Sequence, residues 1–247
     1  MIISIAQTKP VTGDVNKNID IHKKFSDVAV FYGADVIIFP ELSLTGYEPT
    51  LAKELATDVD DARFNPLQEM SDSKTIIIGA GMPIRRHDRI LIGMIIFQPH
   101  QPRQVYFKQH LHPDEEPYFS KGNYQPVLAD KKISLAICYE ISVPAHAEKA
   151  YKDGAEFYIA SVAKTSHGIE KAIETLSENA QKYSMTVLLS NCVGECEGKE
   201  AGGRSSVWDS KGTLLAQLND RDEGVIIFDS DTLKAIEQHQ EFSFKRT

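Results

Sequence analysis

Residues 133–140 read ISLAICYE, and this stretch indicates the fold class of the chain. It is an almost continuous apolar run that ends in Cys138, and Glu140 follows two residues later. Residues 76–78 form a similar run of isoleucines. Continuous apolar runs, unlike alternating ones, are typical of strands that are covered on both faces. The sequence therefore predicts β-strands that are sandwiched between other layers of structure.

Short β-rich runs and helical patterns alternate along the rest of the chain. The predicted strands are residues 2–7, 36–39, 75–80, 90–97, 105–107, 133–138, 157–162, 186–191, 205–208 and 225–228. The predicted helices are residues 16–32, 144–152, 169–183 and 232–239, chosen from apolar spacing, from Asp14 as a cap and from proline or glycine at the ends. This alternation predicts an α/β fold in which helices flank two sheets. Since no linker or shift in composition divides the chain, residues 1–247 are predicted to form a single domain.

The composition excludes several classes of protein. The chain has 27 Lys plus Arg against 35 Asp plus Glu, for a net charge of −8, which argues against nucleic acid as a partner. The longest apolar runs fall well short of a membrane span, and the first residues lack the basic leader of a signal peptide. With 3 cysteines there is no disulfide framework, so we expect a cytoplasmic protein.

Chemically reactive side chains follow three of the predicted strands. Glu41 comes just after residues 36–39, Lys108 after residues 105–107, and Cys138 at the end of residues 133–138. Loops at strand ends are held by a rigid sheet, which is why ligand-binding groups converge there. A cysteine thiol attacks a carbonyl carbon once a base removes its proton. Glu41 is a candidate base, while Lys108 and the backbone N–H of Tyr139 are candidates to stabilise an oxyanion.

Together, these segments resemble the nitrilase, or carbon–nitrogen hydrolase, superfamily. Pro40-Glu41 is similar to its glutamate motif, Lys108 with His110-Leu111 to its lysine motif, and Cys138-Tyr139-Glu140 to its nucleophile motif. The resemblance extends over essentially the whole chain. It implies a four-layer α-β-β-α sandwich with a Glu41–Lys108–Cys138 triad, no metal and no organic cofactor. It also implies a homodimer or a higher homo-oligomer.

The resemblance implies further site residues with less precision. Many members carry a second glutamate that orients the lysine, and its spacing from a Tyr-Phe pair selects Glu115, although Glu116 stays open. Ala163 and Lys164 lie where many relatives have proline and tryptophan, so we expect a pocket of different shape that these residues help to line. His112 is a candidate substrate contact. The acidic loop 114–116 leaves open a preference for a cationic substrate.

The predicted reaction is hydrolysis of a non-peptide C–N bond in a small amide through a Cys138 thioester, with release of ammonia or an amine. Hydrolysis of carbamoyl compounds or nitriles by the same triad stays open. A non-catalytic binding protein on this fold is the alternative of a different class. A papain-like pairing of Cys138 with His110 or His112, and a metal site at Cys192 and Cys196, are less favoured because the resemblance gives these residues other roles and zinc-like spacing is absent.

Overall fold

The structure is a computed structural model, and it describes residues 1–123, 126, 128–129 and 132–239. Its helices are α1 (Val15–Phe31), α2 (Ala52–Leu55), α3 (Asn65–Lys74), α4 (Pro144–Lys152) and α5 (Ile169–Tyr183). Its strands are β1 (Ile2–Gln7), β2 (Val36–Ile38), β3 (Ile77–Arg86), β4 (Arg89–Phe97), β5 (Gln104–Phe107), β6 (Ile133–Ile137), β7 (Phe157–Ser161), β8 (Thr186–Ser190), β9 (Glu195–Cys196), β10 (Lys199–Glu200), β11 (Ser206–Trp208), β12 (Leu214–Gln217), β13 (Gly224–Asp229) and β14 (Lys234–His239).

Within the described residues, the longer strands form two mixed sheets. The first has seven strands in the order β14-β13-β1-β2-β3-β4-β5, and the second has five in the order β12-β11-β8-β7-β6. The pairs β1–β2 and β2–β3 are parallel, as are β6–β7 and β7–β8. Parallel neighbours place the ends of β6 and β7 at one edge, where Ile137 pairs with Ser161. The chain that follows each of these strands therefore leaves the sheet on the same side.

Three apolar layers show that the fold is the α-β-β-α sandwich. One layer joins α1 and α3 to the first sheet, through Phe25, Leu67 and Ile37 among others. A second layer lies between the sheets and includes Ile38 of β2 and Leu135 of β6. The third joins α4 and α5 to the other face of the second sheet. Both faces of each sheet are covered, which explains the continuous apolar runs in the sequence.

Three of the predicted helices are confirmed, and their local chemistry explains their ends. Asp14 caps α1 by accepting a hydrogen bond from the Lys17 N–H at 3.1 Å. α4 begins at Pro144, whose missing N–H costs nothing at a first helical position, and Gly154 with a φ of +88° follows its end. α5 has the predicted bounds and buries one face against the second sheet.

The predicted helix at 232–239 is wrong, because residues 234–239 form the edge strand β14. β14 pairs antiparallel with β13 along its whole length, from Lys234 with Asp229 to His239 with Gly224. Hydrogen bonding to an open sheet edge outweighs the helix propensity of this short Lys, Ala, Glu and Gln segment. The sequence interpretation also missed α3, since its apolar face is limited to a few residues, such as Leu67 and Met70, among polar neighbours.

Candidate active site

Glu41 lies in a tight loop that leaves β2 and packs against β3. Gly81 makes this approach possible, because a Cβ atom there would lie 2.2 Å from the Leu42 backbone nitrogen. Leu44 N–H donates to the Gly81 carbonyl, and Gly81 N–H donates to Ser43 Oγ. The Glu41 N–H donates to the carbonyl of Val162, the residue that follows β7 of the other sheet. The carboxylate of Glu41 is thereby fixed in the space between the two sheets, with its side chain fully buried.

Lys108 follows β5 and is completely buried. Its Nζ donates to Glu41 Oε1 at 2.7 Å and to Glu115 Oε1 at 2.6 Å. Its backbone is held on both sides, because its N–H donates to the Ile92 carbonyl and its carbonyl accepts from the Gly122 N–H. A buried ammonium group keeps its charge when carboxylates accept its hydrogen bonds, and Lys108 has two such carboxylate partners.

Glu115, rather than Glu116, is the second glutamate that contacts the lysine. It ends a short 3-10 turn, Pro113–Glu115, and is buried. Besides Lys108, its Oε1 accepts from Tyr47 Oη at 2.9 Å, and its Oε2 accepts from the His112 N–H at 2.8 Å. The Glu116 side chain is 59% exposed and forms an ion pair with Lys121 at 3.6 Å.

Cys138 follows β6 directly and is the first residue of a 3-10 turn, Cys138–Ser142. Its φ of +42° is in the left-handed region, which non-glycine residues adopt when the surrounding structure imposes it. The residue as a whole is partly exposed although its thiol group is buried, whereas Cys192 and Cys196 are buried residues. The strained backbone at the end of β6 presents the Cys138 side chain next to Glu41, and the interaction with the thiol opposes the rise that burial causes in the pKa of Glu41.

Glu140 ties the Cys138 turn to the loop that carries Lys108. Its Oε2 accepts from the Ile137 N–H at 2.7 Å and from Tyr106 Oη at 2.6 Å, while its Oε1 accepts from the Gln109 N–H at 2.5 Å. Because these donors lie on β5, β6 and the residue after Lys108, one carboxylate fixes the spacing between the thiol and the ammonium group. Glu140 thus positions Cys138 and Lys108 relative to each other through backbone contacts. Its carboxylate does not contact the Lys108 side chain.

Burial and neighbouring charges set the protonation states of the cluster. Burial raises the pKa of Glu41 from 4.5 to about 7, Lys108 opposes this rise, and Glu115 adds to it. Burial also raises the pKa of the Cys138 thiol to about 12, with a further rise from Glu41. Burial disfavours the charged form of Lys108, but the facing Glu41, Cys138 and Glu115 outweigh it and raise its pKa. At neutral pH, the resting site therefore holds a protonated thiol, a charged lysine and a carboxyl group close to its midpoint.

The other predicted site residues are Tyr139, His112, Ala163, Lys164 and Glu116. Tyr139 follows the thiol, and its ring packs edge-on against the half-exposed ring of His112, with centroids 5.3 Å apart. Ala163 and Lys164 follow β7, next to Cys138, and Ala163 is buried against Cys192 and Cys196. Glu116 lies away from the cluster, in its surface ion pair with Lys121. Tyr47, which contacts Glu115, was not singled out from the sequence, although it lies only six residues beyond Glu41.

Other candidate sites receive little support from the geometry. Cys192 and Cys196 lie next to each other, and their interaction, together with burial, raises the pKa of Cys196 far above its ordinary value. Among the described residues, no group of three or more His, Cys, Asp or Glu side chains is arranged to hold a metal ion. Within that same part of the chain, the helices are too short or too polar to cross a membrane.

The chain is similar to known proteins along most of its length. The family model described as carbon–nitrogen hydrolase matches residues 2–238. The chain is 28% identical to the 2-oxoglutaramate amidase of Bacillus subtilis (strain 168), over 83% of this chain and 81% of that one. It is 24% identical to an (R)-stereoselective amidase of Pseudomonas sp, over 98% and 90% of the two chains.

Solved structures show the same fold. An amidase from Nesterenkonia sp. AN1, with acrylamide added at its active-site cysteine, superposes with a TM-score of 0.83 at 23% identity, over 93% of this chain and 92% of that chain. Another form of that amidase, in complex with butyramide, gives a TM-score of 0.82 at 23% identity, over 92% and 89% of the two chains. From the match along almost its entire length, the chain belongs to the carbon–nitrogen hydrolase family and is a carbon–nitrogen hydrolase enzyme.

Proposed function

We propose that this enzyme hydrolyses the C–N bond of a small amide through a thioester on Cys138. The observation that carries the proposal is the state of the Glu41 carboxylate. Its Oε1 accepts from Lys108, whereas its Oε2 is buried and accepts no hydrogen bond from the described residues. An oxygen in that state, beside a thiol, is placed to take a proton.

The proposed acylation begins when Glu41 takes the proton of the Cys138 thiol. The thiolate attacks the amide carbonyl carbon, and Lys108 with the Tyr139 N–H stabilises the oxyanion that forms. Glu41, now protonated, gives its proton to the leaving nitrogen as the C–N bond breaks. Ammonia or an amine departs, and the acyl group stays on Cys138 as a thioester.

Deacylation follows the same steps with water as the nucleophile. Glu41 takes a proton from water, and the resulting hydroxide attacks the thioester carbonyl. The C–S bond then breaks, a carboxylic acid leaves, and Glu41 returns its proton to the sulfur. Glu115 holds Lys108 in place throughout, as its two hydrogen-bonded oxygens indicate.

The pKa values of the two reacting groups support general-base activation. Since burial raises the pKa of Cys138 to about 12, the thiol does not ionise by itself near neutral pH, and it needs a base as substrate arrives. Burial brings the pKa of Glu41 to about 7, where a carboxyl group serves as a base in one step and as an acid in the next.

The relatives support an amide as the substrate class. The Bacillus subtilis and Pseudomonas proteins are named as amidases, and the Nesterenkonia amidase binds butyramide. The test is ammonia release from a panel of small amides, carbamoyl compounds and nitriles. Cys138→Ala is the inactive variant, and Cys196→Ala is the matched control that removes a thiol outside the cluster.

We expect amides to be turned over by the wild type and by Cys196→Ala, and not by Cys138→Ala. Release from carbamoyl compounds or nitriles without release from amides would overturn the substrate class while retaining the nucleophile. Undiminished release by the Cys138→Ala variant would overturn the mechanism.

A further inference from the structure

Lys164 is a second cation beside Cys138, and the proposed mechanism does not use it. It lies three residues beyond the end of β7, the parallel neighbour of the strand that leads into Cys138. Burial raises the pKa of the Cys138 thiol, and among the charges that oppose this rise Lys164 stands ahead of the buried Lys108. Because β6 and β7 are parallel neighbours, the loops that carry Cys138 and Lys164 leave the sheet side by side, and the charge of Lys164 acts on the thiol.

The backbone of Lys164 is held in a rigid frame. The buried side chain of Asn191 clamps it, because Asn191 Oδ1 accepts from the Lys164 N–H at 2.8 Å and Asn191 Nδ2 donates to the Lys164 carbonyl at 3.2 Å. The Gly202 N–H donates to the same carbonyl at 2.8 Å. Thr165, the next residue, forms a β-bridge with Ala201. A loop lysine on the surface has no need of such a frame, whereas a binding group gains precision from it.

The side chain of Lys164 is partly buried and its charge is not neutralised within the described part of the chain. Its aliphatic chain passes close to Gly168, because a Cβ atom placed on Gly168 would lie 3.4 Å from the Lys164 Cδ atom. No described Asp or Glu oxygen lies within 4.0 Å of its Nζ, in contrast to Lys108, which has two such partners. A partly desolvated ammonium group without a carboxylate is a binding site for an anion.

The carboxylates of the acidic loop 114–116 form no ion pair with Lys164. Glu115 is engaged by Lys108, and Glu116 forms its exposed ion pair with Lys121. Asp114 is 86% exposed and lies 3.5 Å from His112 Nδ1. Lys164, unlike Lys108, therefore carries a charge that no described carboxylate neutralises.

We propose that Lys164 binds a carboxylate of the substrate, which makes the preferred substrates monoamides of short dicarboxylic acids. The inference rests on the proposed amide hydrolysis at Cys138. For a primary amide the leaving group is ammonia, so the carboxylate belongs to the acyl part and stays with the thioester. Lys164 would then hold the acyl chain through both halves of the reaction.

The test compares compounds that differ in charge and little in shape. The monoamides of succinic and glutaric acid each carry one carboxylate, and the corresponding diamides are their neutral counterparts. Steady-state kinetics are measured on the wild type, on Lys164→Met and on Lys171→Met, a matched control that removes an exposed lysine of α5. Alkylation of Cys138 by iodoacetamide, located by peptide mass spectrometry, reports on the thiol without any substrate.

We expect Lys164→Met to lower kcat/KM for a monoamide by about 10- to 100-fold, the usual worth of a hydrogen bond to a charged group. The loss should appear mainly in KM, the diamides should change little, and Lys171→Met should change neither. An equal loss of kcat/KM for a monoamide and its diamide, accompanied by slower alkylation, would mean that Lys164 changes the reactivity of the Cys138 thiol. That result overturns the inference. An unchanged preference between monoamide and diamide overturns it as well. Absence of turnover together with an unreactive Cys138 would instead overturn the proposed function on which it rests.

Discussion

Substitution of Glu41 by glutamine should stabilise the protein, and by an amount that depends on pH. Burial raises the pKa of Glu41 from 4.5 to about 7, so the folded state holds this proton more tightly than the unfolded state. Between these values the folded protein is protonated at Glu41 and the unfolded chain is not, and stability therefore falls as pH rises. The fall is about 1.4 kcal/mol per pH unit, or about 3 kcal/mol across the window.

Glutamine does not titrate, so the Glu41→Gln variant should escape this fall. Lys108 keeps Glu115 as its partner, at 2.6 Å, which prevents an unpaired buried cation in the variant. The stability of the variant relative to the wild type should rise by about 3 kcal/mol from pH 4.5 to pH 8, or about 6–12 °C in Tm for a chain of this size.

The assay is thermal unfolding at a series of pH values on the wild type, on Glu41→Gln and on Glu116→Gln. Glu116 is the matched control because its carboxylate is exposed and paired at the surface. Taking differences between variants removes the titration of all other groups. A stability difference between Glu41→Gln and the wild type that stays constant with pH, or that decreases as pH rises, would show that the pKa of Glu41 is not raised in the folded protein.

Other expected results concern catalysis and the support of the site. The wild-type kcat/KM should fall about tenfold per pH unit below pH 7, because Glu41, with a pKa of about 7, must be ionised to accept the thiol proton. A flat pH–rate profile would argue against Glu41 as the base. Lys108→Met should lower kcat by a factor of about 10² or more. It should also destabilise the fold, since it leaves Glu41 and Glu115 facing each other without a cation. Wild-type activity in this variant would exclude Lys108 as a stabiliser of the oxyanion. Glu140→Gln should lower the free energy of unfolding by about 1–3 kcal/mol, because the NH2 end of the amide cannot accept a hydrogen bond from the Ile137 or Gln109 N–H. It should also lower kcat more than it raises KM. Denaturant titration and steady-state kinetics measure the two effects, and an unchanged kcat would show that Glu140 has only a structural role.

The sequence allowed the layered fold and the ends of three helices to be predicted, because burial on both faces leaves continuous apolar runs. It failed at residues 234–239, where an edge strand depends on its pairing with residues 224–229, a contact that local propensity does not contain. The short helix Asn65–Lys74 was missed for the related reason that its burial comes from tertiary packing on the first sheet and only weakly from its own pattern.

The candidate site was predictable where chemistry sits in short motifs, and less so where it depends on three-dimensional packing. Glu41, Lys108 and Cys138 each follow a buried strand, and the structure brings them together. The choice between Glu115 and Glu116 needed the structure, since neighbouring acids in a turn differ only in which one is buried. The position of Lys164 beside Cys138 depends on parallel strand pairing and on the Asn191 clamp, which are not visible in the local sequence.

Two predictions concern the protein beyond its fold and site. The cytoplasmic location and the homodimer stay predictions, and light scattering on the purified protein checks the second. A mass equal to twice that of the 27.6 kDa chain, or a larger multiple, is the expected result. A monomer mass would refute the assembly that the family resemblance implies, and would leave the site unaffected, because all the contacts described here come from a single chain.

Trapping of the acyl-enzyme is the decisive experiment for a thioester on Cys138. The enzyme is mixed with a small amide that it turns over, quenched with acid within one turnover, digested and analysed by mass spectrometry. We expect the acyl group on the peptide that contains Cys138 and its removal by hydroxylamine, and we expect the Cys138→Ala variant neither to carry the group nor to release ammonia. An acyl group on another residue, or ammonia release by the variant at the wild-type rate, would show that Cys138 is not the nucleophile.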